Sequence, residues 1–118
     1  MFELTRDILS VMKLKNTLQK GSVRYFVFEE GGVWYAAGLE FNIVEEGSTP
    51  QEALILLFEA LHGYVESAKK IKARPNILNQ KTDPEYEAMW TNRHTEKEKH
   101  KLFTFGELNL GRKLAAVA

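Results

Sequence analysis

The 118-residue chain contains no cysteine, so disulfides, thiolate metal sites and cysteine nucleophiles are excluded. No apolar run approaches the roughly 18 residues that a membrane-spanning helix needs. The first residues hold no long apolar stretch ahead of a small-residue cleavage site. A cytoplasmic setting is therefore expected, with no membrane partner. Eight glycines and three prolines are far from a collagen-like composition. Charge of one sign is lacking too: 16 Lys and Arg balance 16 Asp and Glu, short of the basic excess that non-specific phosphate binding requires. Nucleic acid is therefore not expected as a partner for this chain alone. What remains, 44% hydrophobic and 27% charged residues, is the profile of a globular domain. A chain of this length buries about two-thirds of its unfolded surface, so residues 1–118 are read as one domain.

The balanced charge is unevenly spread. Met1 to His62 carry 5 Lys/Arg against 9 Asp/Glu, and Gly63 to Ala118 carry 11 against 7. An acidic half thus precedes a basic one.

Residues 1–20 read as an N-terminal extension, a short helix followed by an extended piece. Val23–Glu30 and Val33–Gly38, rich in β-branched and aromatic residues and joined by Gly31-Gly32, read as an antiparallel hairpin, because glycine reaches the positive φ of a tight turn. Val23, Tyr25 and Val27 fall on one face of the first strand, and Phe26 and Phe28 on the other. A sheet with one wet face has no need of that, so something must cover the second face, either another element or another subunit. A third strand is expected over Phe41–Glu45.

Thr49-Pro50-Gln51-Glu52 is a capping box. The Thr49 hydroxyl accepts from the N–H of Glu52, and Glu52 reaches back to the N–H of Thr49. The helix it opens is expected to run to about Lys72, stopped by Arg74-Pro75. Leu54, Leu57, Phe58, Leu61, Val65 and Ala68 form its apolar stripe, and Ile55 and Leu56 add apolar surface on other sides. That excess points to oligomerisation.

Residues 75–118 form a C-terminal helix and tail, beginning with linker-like 76–81. Asp83-Pro84 starts a second helix, which becomes charged all round by Glu96–Lys101, and 102–105 is a candidate last strand. The core is placed at 21–74.

No catalytic constellation emerges. Glu29, Glu30, Glu40, Glu45 and Glu46 lie near strand ends, where solvated turn carboxylates are commoner than metal ligands. His94 and His100 are six apart and share no helical face. His94 and Glu98 lack a third ligand, and His62 reads as a partly buried helix residue. Neither an enzyme nor a cofactor is expected. Tyr86, Met89 and Trp90 share one face of the second helix with Arg93 next along. That face either packs on the domain's own sheet or binds a partner, since Trp, Tyr and Arg are enriched at interface hot spots.

Residues Tyr25–Val65 resemble the N-terminal domain of the HicB-type antitoxin family. The resemblance is carried by strand Tyr25–Phe28 with acidic Glu29 and Glu30, by Gly32 with aromatic Tyr35 after it, and by Gly47-Ser48-Thr49 followed by Glu52-Ala53-Leu54. It covers about 41 of the 118 residues. The family's proline-glycine-cysteine segment before the helix is replaced here by Phe41–Glu46, and nothing after Pro75 reads as a DNA-binding motif. The resemblance implies an α+β fold: a three-stranded antiparallel sheet packed by one long helix, in a β-β-β-α-β order, the truncated ribonuclease-H-like sheet without that enzyme's carboxylates. It also implies a non-catalytic protein that neutralises a small HicA-type mRNA-cleaving toxin, or a solitary oligomeric binding module.

A ribonuclease that grips RNA presents positive charge, so Glu29, Glu30, Glu45 and Glu46 are the expected contacts for such a toxin, with Tyr86, Trp90 and Arg93 as further partner-binding candidates. Phe26, Phe28, Ile55 and Phe58 are the expected interface of a homo-oligomer, a dimer or tetramer. Two alternatives stay open: a metal-dependent nuclease relic using strand-end glutamates, and a small-molecule or peptide sensor with Trp34, Tyr35 and Trp90 lining a pocket.

Overall fold

Gly31 and Gly32 reverse the chain at φ values of 62° and 83°, the left-handed pair that a two-residue hairpin turn demands. They join β1 (Ser22–Glu30) to β2 (Val33–Gly38), with Glu30 opposite Val33 and Phe28 opposite Tyr35. This computed structural model describes residues 15–18, 21–94 and 102–110; the expected N-terminal helix, the charged Glu96–Lys101 stretch and the tail from residue 111 lie outside them.

β3 spans Ile43–Gly47, two residues later than the alternation suggested. Asn42 takes a left-handed φ of 55°, which asparagine tolerates because its side chain hydrogen-bonds locally. Here its Nδ2 donates to the Lys81 carbonyl at 2.9 Å. Phe41 therefore belongs to the turn, buried and tilted against Tyr64 with ring centroids 4.7 Å apart.

The capping box opens α1 (Pro50–Lys70). The Glu52 N–H donates to Thr49 Oγ1 at 3.1 Å as expected, but the Glu52 carboxylate reaches one residue further back and accepts from the Ser48 N–H at 2.6 Å. The helix ends before Pro75 has any part in it. Lys72 turns left-handed at φ 51°, its N–H donating to the Lys69 carbonyl and that of Ala73 to the Ala68 carbonyl. This pair of bonds is a Schellman motif. Pro75 instead starts a 3-10 turn, Pro75–Leu78.

The segment read as a linker is packed. Leu78 is 1% exposed, and Asn79 bonds to Asn16 in both directions, accepting from the Asn16 N–H at 2.9 Å and donating to its carbonyl at 2.9 Å. Asp83 caps α2 (Pro84–Thr91), accepting from the Glu85 N–H at 2.8 Å. β4 runs over Thr104–Asn109, longer than the apolar run at 102–105, because it pairs with β1 from Val27 back to Ser22, with Gly106 opposite Tyr25.

The fold is α+β, and the sheet has four strands in the order β3-β2-β1-β4, every neighbour antiparallel. The last strand of the expected β-β-β-α-β order joins the three-stranded sheet as β4 beside β1, and the second helix forms a second covering layer. α1 buries Ala53, Leu57, Leu61, Val65 and Ala68 over Val23, Val27 and Ala36. On the opposite face, α2 sets Met89, Tyr86 and Trp90 over Phe26, Phe28, Ala37 and Leu39. Residues after 74 therefore complete the core that was placed at 21–74.

This arrangement answers the question of what covers the second sheet face. The apolar surface assigned to a second copy at Phe26 and Phe28 is covered from within the chain, at 0% and 3% exposure. Phe58 packs edge-on against Tyr25 at 5.1 Å. Ile55 alone of the four stands open, 59% exposed, with Leu56 beside it.

Candidate interaction surface

Strand alternation divides the acidic residues between the two faces. Glu30 and Glu46 fall on the α2 face and are exposed; Glu29 and Glu45 fall on the α1 face and are half-buried. The register brings all four to one end of the sheet. Glu29 pairs with Trp34, Trp34 with Gly47, Tyr35 with Glu46, and Ala36 with Glu45. They are not a ligand set, since they point to opposite sides. Among the described residues, no group of three or more His, Asp or Glu could hold a metal ion. Glu40, the fifth carboxylate considered, is occupied. Its Oε1 accepts from the Arg24 N–H at 2.8 Å, and its Oε2 from Arg24 Nε at 2.6 Å and Lys15 Nζ at 3.1 Å.

Tyr86 joins the acidic end. Its ring meets Phe26 at 5.9 Å and Phe28 at 6.2 Å, and Tyr35 stacks on Phe28 at 5.5 Å. Burial pushes the Tyr86 phenol above its ordinary value, and the negative charges of Glu85, Asp83 and Glu30 push it further. Trp90 and Arg93 go elsewhere. The Arg93 guanidinium lies 4.0 Å over the Trp90 ring, its Nη1 donates to the Trp90 carbonyl at 2.7 Å, and Trp90 packs edge-on against Phe105 of β4 at 6.1 Å. The tryptophan and its arginine are thus engaged with their own sheet, at the β4 side. His94 packs on Phe105 as well, at 5.2 Å. Trp34, Tyr35 and Trp90 share no cavity, since consecutive strand residues face opposite ways: Trp34 packs with the α1 side and Tyr35 with the α2 side.

A polar network went unrecognised in the sequence. Arg24 grips Glu87 of α2 through Nη1 and Nη2 at 2.9 and 2.8 Å while its Nε holds Glu40. These contacts, led by the Glu87 hydrogen bonds, raise the guanidinium further above its ordinary value against the opposing effect of burial. The available signal was the alternation itself: Arg24 shares a face with Phe26 and Phe28, where a cation needs a buried acid partner.

Two depressions flank β3. One of about 350 Å³, on the α2 side, is lined by Asn42, Val44, Lys81, Asp83 and Tyr86. The other, about 460 Å³, lies where the hairpin turn meets the start of α1, among Gly32, Val33, Glu46, Glu52 and Leu56. Comparison of the chain with protein-family models, curated proteins and solved structures finds no match.

Proposed function

We propose that this chain is a non-catalytic, HicB-like binding module whose acidic sheet end engages a small basic protein. A HicA-type mRNA-cleaving toxin is the class of partner that the resemblance implies. The observation that carries the reading is the convergence of Glu29, Glu30, Glu45 and Glu46 on one end of the sheet, beside Asp83 and Glu85 at the start of α2. By contrast, Arg24 and Lys15 are drawn inward onto Glu40 and Glu87. An acidic rim of this kind steers and selects a cationic partner. The reading requires no second copy, because α2 covers the face that a subunit would otherwise have had to cover.

The test is capture from native lysate on tagged protein, run beside a variant in which the four glutamates are changed together to glutamine. A stoichiometric small basic protein retained by the parent and lost by the variant, with ribonuclease activity that the parent suppresses, is the expected result. Recovery of the bait alone, or equal capture by both, defeats the reading.

A further inference from the structure

β3 is the outermost strand of the sheet, and among the described residues no strand pairs with its outer edge. Alternate residues of Ile43–Gly47 therefore turn their main-chain N–H and C=O groups away from β2. Such an edge is a template for another extended segment. The two depressions adjoin the strand, one beside its α2 face with Val44 and Tyr86 in the lining, the other at its Gly47 end beside the hairpin turn, with Glu46 and Leu56. Strand addition uses this combination, main-chain bonds for affinity and flanking hollows for alternate side chains.

We propose that the outer edge of β3 accepts an extended segment of the basic partner as a fifth strand, and that this segment carries two adjacent basic residues followed by two adjacent β-branched apolar ones. The proposal rests on the reading of the acidic end as the partner surface. The motif follows from the pleat. Ile43 and Glu45 lie on the α1 face, and Val44 and Glu46 on the α2 face. An antiparallel segment passes Glu46, Glu45, Val44 and Ile43 in that order. Its first two residues face carboxylates on opposite sides of the sheet, and its next two face apolar side chains. Cross-strand pairs of opposite charge and of apolar residues are the favourable ones. A second copy of this chain fits badly: antiparallel pairing of the whole of Ile43–Gly47 with itself centres on Glu45 and sets that carboxylate against its own copy. Charges placed so on an edge disfavour self-pairing.

The probe is the peptide acetyl-TKRVIT-amide, with two analogues N-methylated at alternate backbone nitrogens in the two possible frames, and acetyl-TEEVIT-amide as the charge control. Titration of the full chain is followed by amide shifts of residues 43–47. The parent peptide is expected to bind. One N-methylated analogue should bind at least tenfold more weakly and the other nearly unchanged, because only one frame directs its N–H groups at β3. The acidic control should not bind. Equal binding of both analogues would mean that charge alone holds the peptide, which overturns strand addition while leaving the acidic-surface reading intact. Failure of the parent peptide to shift residues 43–47, while the basic protein is still captured from lysate, overturns it equally. If no protein is captured but the peptide binds in one frame only, the edge is a strand acceptor and the toxin reading is what fails.

Discussion

Arg24 and Glu40 are joined twice over: one oxygen of the carboxylate accepts the main-chain N–H of Arg24 at 2.8 Å, and the other accepts its Nε at 2.6 Å. The pair sits where β1 loses its neighbour. β2 ends at Gly38, and the Leu39 N–H donates to the Arg24 carbonyl, so the Glu40 side chain serves the N–H that the sheet leaves behind. The far side of the guanidinium then holds Glu87. One arginine thus fixes the sheet, the β2–β3 turn and α2 to one another.

The two carboxylates on Arg24 should differ sharply in what their loss costs. The Glu40 side chain is 9% exposed and that of Glu87 is 43% exposed. Glu40→Ala strips the Arg24 Nε and the Arg24 main-chain N–H of their acceptor together, next to a largely buried site, which costs about 3 kcal/mol. Glu87→Ala removes a half-solvated partner and costs about 1 kcal/mol or less. Urea midpoints of the two variants check this, and equal losses would refute the division.

Acid should act through Glu87. Hydrogen bonds from Arg24 hold its carboxyl below the ordinary carboxylate range, against the opposing effect of burial. A group with a depressed folded-state pKa contributes stability that is present above its unfolded value, about 4.3, and lost as pH falls through the folded value. The parent should therefore lose more stability between pH 5 and 3 than Glu87→Gln does. Parallel stability curves for the two proteins over that range would contradict the assignment.

Lys72 should be replaceable to advantage. It occupies the left-handed position of the Schellman motif at φ 51°, where a side chain other than that of glycine costs about 1 kcal/mol. Lys72→Gly should raise the stability by about that amount. Asn42, also left-handed, should behave in the opposite sense, because Asn42→Gly loses the bond to the Lys81 carbonyl. Thermal unfolding of the two variants gives shifts of opposite sign if the reasoning holds.

The sequence made legible whatever depended on local chemistry. The Gly31-Gly32 hairpin, the Thr49 and Asp83 caps and the apolar stripe of α1 all follow from neighbours within a few residues. What it hid depended on distant partners. Phe26 and Phe28 showed that the second face had to be covered, and the Tyr86, Met89 and Trp90 face reads as packing on the domain's own sheet or on a partner. That α2, almost sixty residues later, covers this very face is what the structure adds. The linker reading of 76–81 failed because Leu78 and Asn79 are fixed by α1 and Asn16, contacts that leave no periodicity. At the acidic end, the four glutamates were legible as charge, and their gathering at one end of the sheet became visible only with the register.

Two glycines under α1 should respond differently to one added methyl group. A Cβ on Gly38 would come 2.9 Å from the Leu61 Cδ2 methyl, with Val23 and Leu57 at 3.4 and 3.5 Å. The terminal methyl of Leu61 can rotate aside, so Gly38→Ala should cost about 1 kcal/mol, the lower end of an overpacked core. A Cβ on Gly47 would come 2.8 Å from the main-chain nitrogen of Ala53, which the first turn of α1 fixes through its bond to the Thr49 carbonyl. Backbone at that place moves only if the helix start lifts from β3, carrying the Glu52 cap with it. Gly47→Ala should therefore cost about 3 kcal/mol. It should also slow the approach of β3 to α1 in refolding, whereas Gly38→Ala should not. Denaturant midpoints read the first difference and stopped-flow folding rates the second; a costlier Gly38→Ala would show that Leu61, not the helix start, is the rigid element.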